Sequence, residues 1–272
     1  MKTTDSVHDF APVNGADIHY EAAGDGPALV LLHAGIADMR MWGAQMSTFA
    51  DTHRVIRYDL RGYGQSAMPA GSFAHHDDLK GLLRQLGVSS AIIAGASFGG
   101  RVGIDFPLEY PELVDALVLV GAALGGCPFS AEMDVFEAEI EAAHQAGDYD
   151  RAAEVDIRVW VDGPRRTAEQ VDSAFRRRAH ELARGVYETM SFDGTPKRLD
   201  PPANERLREL RVPTLIVTGD LDQPDIVRIA ERIANNVRGA RSVTIPDAAH
   251  LPSMEQPEQF NAILREFLDR LD

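Results

Sequence analysis

A serine hydroxyl is a weak nucleophile until the chain holds it near a base and away from competing partners. Ser97 has the local sequence for this. In Ile93-Ala94-Gly95-Ala96-Ser97-Phe98-Gly99-Gly100, an apolar β-branched run leads into the serine and a helix-prone stretch leaves it. Gly95 and Gly99 bracket Ser97 two residues away on either side. A turn from strand to helix this tight crowds its neighbours, so the flanking residues must be small and the serine backbone is strained. The hydroxyl then stands out at the end of the strand. The N–H groups opening the helix face any negative charge that develops there. The chemistry served is attack on a carbonyl carbon. A glycine-rich turn with no chemical role is the competing explanation, and the strand and helix on either side weigh against it.

Such a serine needs a base, and the chain has nine histidines. His250 lies in Ile245-Pro246-Asp247-Ala248-Ala249-His250-Leu251-Pro252, a loop after the last apolar run and before the last helical pattern. From there it can fold back over Ser97. His75 and His76 open a helix and are expected in solvent, while His144 and His180 fall in a stretch without strands. His33 follows a strand and is expected to hydrogen-bond its own loop. The base in turn needs an acid to fix its tautomer and stabilise the imidazolium. Gly219-Asp220-Leu221-Asp222 follows another apolar run and offers two candidates. Spacing alone does not choose between Asp220 and Asp222.

These residues require strands that end at one edge of a sheet. Short apolar, β-branched-rich runs at 28–32, 55–58, 91–94, 116–120 and 214–218, with 242–245 as a sixth, lie between turn signals, and continuous apolar strands are expected where both sheet faces are covered. Between them, 76–86 and 257–271 carry apolar residues at helical spacing. Alternating strands and helices predict an α/β fold with a mostly parallel central sheet flanked by helices. Ile18-His19-Tyr20-Glu21 alternates and reads as an antiparallel edge strand. The rhythm fails between about Gly125 and Leu210, where 131–146, 149–161 and 167–190 read as helices and Phe192 to Pro196 as a turn or loop. The organisation expected is a core of residues 1–124 and 211–272 interrupted by a helical cap, or lid, over 125–210. No internal repeat or low-complexity tract is apparent.

Composition limits what else the chain could do. With 27 basic and 42 acidic residues its formal charge is −15, which disfavours nucleic-acid backbones and anionic membranes as partners. Cys127 is the single cysteine, so no internal disulfide can form. That and the polar first ten residues point to the cytoplasm.

The Ser97 turn, the loop His33-Ala34-Gly35, the segment Asp59-Leu60-Arg61-Gly62-Tyr63-Gly64-Gln65-Ser66 and the loops of Asp222 and His250 together resemble the α/β-hydrolase superfamily. The resemblance covers residues 17–124 and 212–272; the interruption matches by position only. Within the superfamily, Met41-Trp42 with Gln45, then Arg57-Tyr58-Asp59 and Arg61-Gly62, is similar to 3-oxoadipate enol-lactonases and their relatives. The resemblance implies the order Ser97, Asp222, His250 for the triad, with Asp222 rather than Asp220 as the acid. It implies an oxyanion hole from the N–H groups of Phe98 and Gly35, and a structural role for the Asp59 to Ser66 turn. One departure matters: Ala34 stands where such chains usually have a second glycine. Alanine adopts positive φ only at a cost, so the loop is expected to differ in shape, with Ile36 an alternative donor.

The expectation for function is a serine hydrolase that cleaves a carboxylic ester or lactone through an acyl-enzyme, without metal or cofactor. Relatives that open epoxides or displace halide carry a carboxylate nucleophile where this chain has Ser97, which argues against both activities here. Hydrolysis of a carbon–carbon bond in a diketone by the same triad is the alternative. A non-catalytic receptor on the same fold has no need of all three groups. The partner expected is a small molecule with an apolar portion, bordered by some of Met133, Phe136, Trp160, Phe175, Tyr187 and Met190; most of these should pack the cap onto the core. Cys127, where the chain leaves the sheet, either borders the site or is a buried structural thiol. The sequence leaves a homo-oligomer open.

Overall fold

The computed structural model describes residues 6–190 and 193–271. The strands are β1 (Val7–Val13), β2 (Ala16–Ala23), β3 (Ala28–Leu32), β4 (Arg54–Tyr58), β5 (Gly71–Phe73), β6 (Ala91–Ala96), β7 (Val114–Val120), β8 (Gly194–Pro196), β9 (Thr214–Gly219) and β10 (Arg241–Ile245). The α-helices are α1 (Gly43–Phe49), α2 (His75–Gln85), α3 (Phe98–Glu109), α4 (Ala131–Gln145), α5 (Tyr149–Asp156), α6 (Ser173–Thr189), α7 (Ala203–Arg206), α8 (Pro224–Asn236), α9 (Pro252–Glu255) and α10 (Pro257–Leu268).

Eight strands form one sheet in the order β1-β2-β4-β3-β6-β7-β9-β10. From β4 through β10 every pairing is parallel; β1 with β2 and β2 with β4 are antiparallel. This is an α/β-hydrolase fold with a mostly parallel central sheet. Successive strand residues alternate between two apolar layers. Leu29, Leu31, Ala94, Val118 and Val217 join side chains of α1 and α10 on one face. Val30, Leu32, Ile93, Leu119 and Ile216 join those of α2, α3 and α8 on the other. Both layers are dry, which is why these strands read as unbroken apolar runs.

Three differences from the sequence reading have physical causes. The segment 18–21 is part of β2, and β2 is not an edge, because β1 pairs along its outer side. Asn14-Gly15 makes that hairpin turn with φ of 47° and 79°, the positive values a two-residue loop needs to match strand twist. This dipeptide was the available signal; β1 itself is mostly exposed and has no apolar run. Second, Gly194–Pro196 is not a loop: it pairs in parallel with β5 as a two-stranded ribbon. Phe192, the first residue of that expected loop, lies outside the described residues. Third, the expected helix over 149–161 changes character, since α5 passes into a π-helical turn over Ile157–Asp162 that stops at Gly163.

Helices α4, α5 and α6 follow β7 and precede β9 in the chain. Ala152, Ile157, Leu182 and Tyr187 join the same apolar layer as α10. Met133, Val155 and Val159 make a smaller cluster of their own, with Phe136 and Trp160 against it. Cys127 is half-buried and packs against the α2–α3 layer. No helix among the described residues is long and apolar enough to cross a membrane.

Candidate active site

Ser97 sits between β6 and α3 with φ 49° and ψ −112°, outside the regions a residue with a Cβ prefers. Its neighbours explain why the chain tolerates this. A Cβ on Gly95 would collide with the backbone of Gly99 and Gly100, and one on Gly99 with the carbonyls of Leu32 and His33. Ser97 is held on both sides: its N–H donates to Val120 O at 2.9 Å, and its carbonyl accepts from Ala123 N–H at 3.0 Å. The turn is thus pinned to the end of β7 while its side chain stays half-buried.

His250 and Asp222 meet from the loops after β10 and β9. His250 Nδ1 lies 3.0 Å from each carboxylate oxygen of Asp222. A carboxylate only accepts, so Nδ1 carries the proton and Nε2 is left as the basic nitrogen. Nε2 is buried and has no hydrogen-bond partner. His250 is 1% exposed and Asp222 2% exposed. Gln223 N–H donates to Asp222 Oδ1 at 2.7 Å, fixing the carboxylate. Asp220 is exposed, and its carbonyl accepts from the Arg165 guanidinium. Of the two aspartates left open by spacing, the one brought to the histidine is Asp222.

The loop after β3 closes the other side. A Cβ on Gly35 would stand 3.5 Å from Phe98 Cβ, so the two expected oxyanion donors are neighbours. Ala37 N–H donates to Ala34 O in a turn, and this bond uses neither the Gly35 nor the Ile36 N–H. Ala34 is not among the positive-φ residues, so alanine replaces glycine there without strain. His33 donates from Nδ1 to Ala34 O and accepts Leu60 N–H at Nε2, which makes it a neutral strut; burial lowers its pKa further. Asp59 accepts from His19 Nδ1, Met39 N–H and Gln65 N–H at 2.8–2.9 Å and so ties β2, the β3 loop and its own turn together. His75 departs from expectation. It is not solvated but packs edge-on to Phe73 and Phe98, and burial pushes its pKa down to about 3. His76 is half-buried rather than free in solvent.

Several residues around Ser97 were not singled out by the sequence. Gly121, at φ 51°, packs so closely that a Cβ would lie 3.0–3.2 Å from His250 O, Nδ1 and Cε1. Tyr63 packs on Phe98 and His33. The segment between β7 and β9 reaches the same place. Gln223 Nε2 donates to Val159 O at 2.7 Å, and Gly163 packs against the Leu221 carbonyl. Tyr187 Oη donates to Asp156 Oδ2 at 2.5 Å beneath the π-helical turn. Trp160 and Tyr187 come from the apolar set expected at the pocket; Asp156 does not. Among the described residues, no cluster of His, Cys, Asp and Glu is placed to hold a metal ion.

Residues 29–263 match the model of the alpha/beta hydrolase family. The chain is 25% identical to carboxylesterase YbfK of Bacillus subtilis (strain 168), over 92% of this chain and 83% of that one. It is 29% identical to a 2-hydroxy-6-oxononadienedioate/2-hydroxy-6-oxononatrienedioate hydrolase of Burkholderia vietnamiensis, over 93% and 91%. The enol-lactonase structure from Burkholderia xenovorans LB400 superposes with a TM-score of 0.78 at 22% identity, over 96% and 99% of the two chains, a likeness of fold. The chain belongs to the alpha/beta hydrolase family and is a hydrolase.

Proposed function

We propose that the protein hydrolyses carboxylic esters or lactones through an acyl-enzyme on Ser97. The observation that carries this reading is the state of His250: both Asp222 oxygens hold Nδ1, and Nε2 is buried and unpartnered. In the mechanism, Ser97 Oγ attacks the carbonyl carbon as His250 Nε2 takes its proton. The N–H groups of Phe98 and Gly35 receive the oxyanion. Collapse breaks the bond to the alcohol, which leaves with the proton from Nε2. Water then gives a proton to Nε2, attacks the acyl carbon, and releases the acid and Ser97. Asp222 stays ionised throughout and stabilises the imidazolium. In a lactone the alcohol and acid are one product.

Segment 125–210 acts as a cap in this reading. Its Val159, Trp160 and Gly163 contact the loops of Asp222 and His250, so its apolar side chains border the substrate. The substrate is a small molecule with an apolar portion. A single cysteine fits work in a reducing cytoplasm. Carbon–carbon cleavage in a diketone stays as a second reading because of the 29% identical relative.

The test is a panel of aryl esters, lactones and vinylogous diketones with purified protein, scored against Ser97→Ala and by intact mass for a Ser97 adduct. Turnover that survives Ser97→Ala, with no adduct, overturns the mechanism. A diketone turned over faster than any ester selects the second reading.

A further inference from the structure

Asp156 is 3% exposed and lies in the last turn of α5, just before the π-helical turn. Every other buried carboxylate among the described residues has an arginine or histidine nitrogen within 4.0 Å. Glu21 has Arg57, Asp78 has Arg61, Asp162 has Arg176 and Asp222 has His250, for example. Asp156 has only neutral donors, Tyr187 Oη and the Trp160 side chain. Burying a carboxylate without a cation costs several kcal/mol. A molecule that pairs its other buried acids leaves this one unpaired beside its reactive histidine.

The position of Asp156 gives that cost a use. Its charge acts on His250 and on Tyr63. His250 is the base on one side of Ser97. Tyr63 is on the other, its Oη 3.9 Å from where a Gly35 Cβ would stand. The Trp160 ring covers His250 from the same side, with ring centroids 4.4 Å apart. The carboxylate, the indole and the imidazole thus form one cluster, with Asp156 hydrogen-bonded to the Trp160 side chain and coupled to His250. The segment is also built to hold it there: α6 brings Tyr187, and the π-helical turn brings Trp160.

This inference rests on the serine-hydrolase reading above. We propose that Asp156 is the specificity residue of the site, taking a protonated amine of the substrate as its missing cation and rejecting substrates with a carboxylate there. The groups facing Asp156 are Tyr187 of α6, Trp160 of the π-helical turn, His250 of the β10 loop and Tyr63 of the β4 loop; only His250 among them is cationic when protonated. Burial holds the Asp156 carboxyl up at about 6, so selectivity for amines should strengthen as pH rises through that value.

The experiment compares kcat/KM for p-nitrophenyl esters of hexanoate, 6-aminohexanoate and monoadipate. A second series places the charge on the alcohol: butyrylthiocholine, 3,3-dimethylbutyl thiobutyrate and S-butyryl-3-mercaptopropionate. Wild-type protein and Asp156→Asn are run at pH 8, and wild type also from pH 5.5 to 8. In at least one series the ammonium-to-carboxylate ratio should fall tenfold or more in Asp156→Asn. In wild type the same ratio should fall as pH drops toward 5.5, and a ratio between substrates cancels any loss common to all esters. A uniform loss on all substrates, with a pH-independent ratio, makes Asp156 a strut for Tyr187 and Trp160 and overturns the proposal. If the variant does not fold, the wild-type ratio against pH decides by itself. Ser97→Ala, run on the neutral esters, reports separately on the serine mechanism.

Discussion

The Trp160 carbonyl accepts the backbone N–H of His250 at 3.1 Å while the Trp160 indole lies 4.4 Å from the imidazole. One residue of the π-helical turn thus fixes both the backbone and the ring of the histidine that also bonds Asp222. Trp160→Ala keeps the carbonyl and removes the ring. It should lower kcat for small activated esters by roughly tenfold, since misplacing a catalytic group by about 1 Å can cost up to 100-fold. It should change relative kcat/KM among larger substrates more. Steady-state kinetics on a short and a long acyl ester separate the two effects; identical losses on both would count against contact between Trp160 and substrate.

Ser97→Ala should abolish turnover with a loss of roughly 10⁴ or more in kcat, as triad nucleophiles do. The fold should survive because the side chain fills no core cavity, and relief of backbone strain is small. Circular dichroism and thermal melting check the fold, and ester hydrolysis checks the loss.

Asp222→Asn should cost on the order of 10⁴ in kcat, because the amide can donate as well as accept and allows the wrong histidine tautomer. Asp220→Asn should stay within a few-fold, since Asp220 is exposed and offers only its carbonyl to Arg165. The reverse ranking would reassign the acid.

Gly121→Ala should damage both stability and rate. The position has φ 51° and a new Cβ would press on His250 at 3.0–3.2 Å. The conformational cost by itself is about 1 kcal/mol or more. Urea unfolding and kcat should both fall, whereas alanine at Gly87, whose φ is also positive but whose surroundings are open, should lose only stability.

Asp156→Asn should change how stability depends on pH. The folded carboxyl titrates at about 6 against 3.8 for the free group, raised by burial. The folded state therefore holds a proton that the unfolded chain has released. Stability falls as pH rises from about 4 to about 6 and stays lower above it, by roughly 3 kcal/mol. The asparagine variant removes this slope, so its advantage over wild type should be larger at pH 8 than at pH 5. Asp105, also raised to about 6, contributes equally to both proteins and cancels in the difference. A difference that does not change with pH would show that Asp156 is not buried as a free acid.

Much of this protein was legible in local sequence because its constraints are local. Gly95 and Gly99 flank Ser97 because that turn has no room for a Cβ, so the strain is visible in the glycines themselves. The dry strands follow from burial on both faces, and the loops of Asp222 and His250 follow from the ends of their strands. What local sequence could not decide were relations between distant segments. Asp220 and Asp222 look alike until the fold turns one into solvent and buries the other against an imidazole 28 residues away. β1 is too exposed to show an apolar run, and it is a strand because β2 offers an unpaired edge. His75 reads as a solvated helix start, but Phe73 and Phe98 close over it. Asp156 reads as one more charge on a polar helix. Only the packing of α6 and the π-helical turn takes it out of water and sets it beside His250. Burial and electrostatic coupling depend on which surfaces meet, and that is fixed by the tertiary structure rather than by neighbours in the chain.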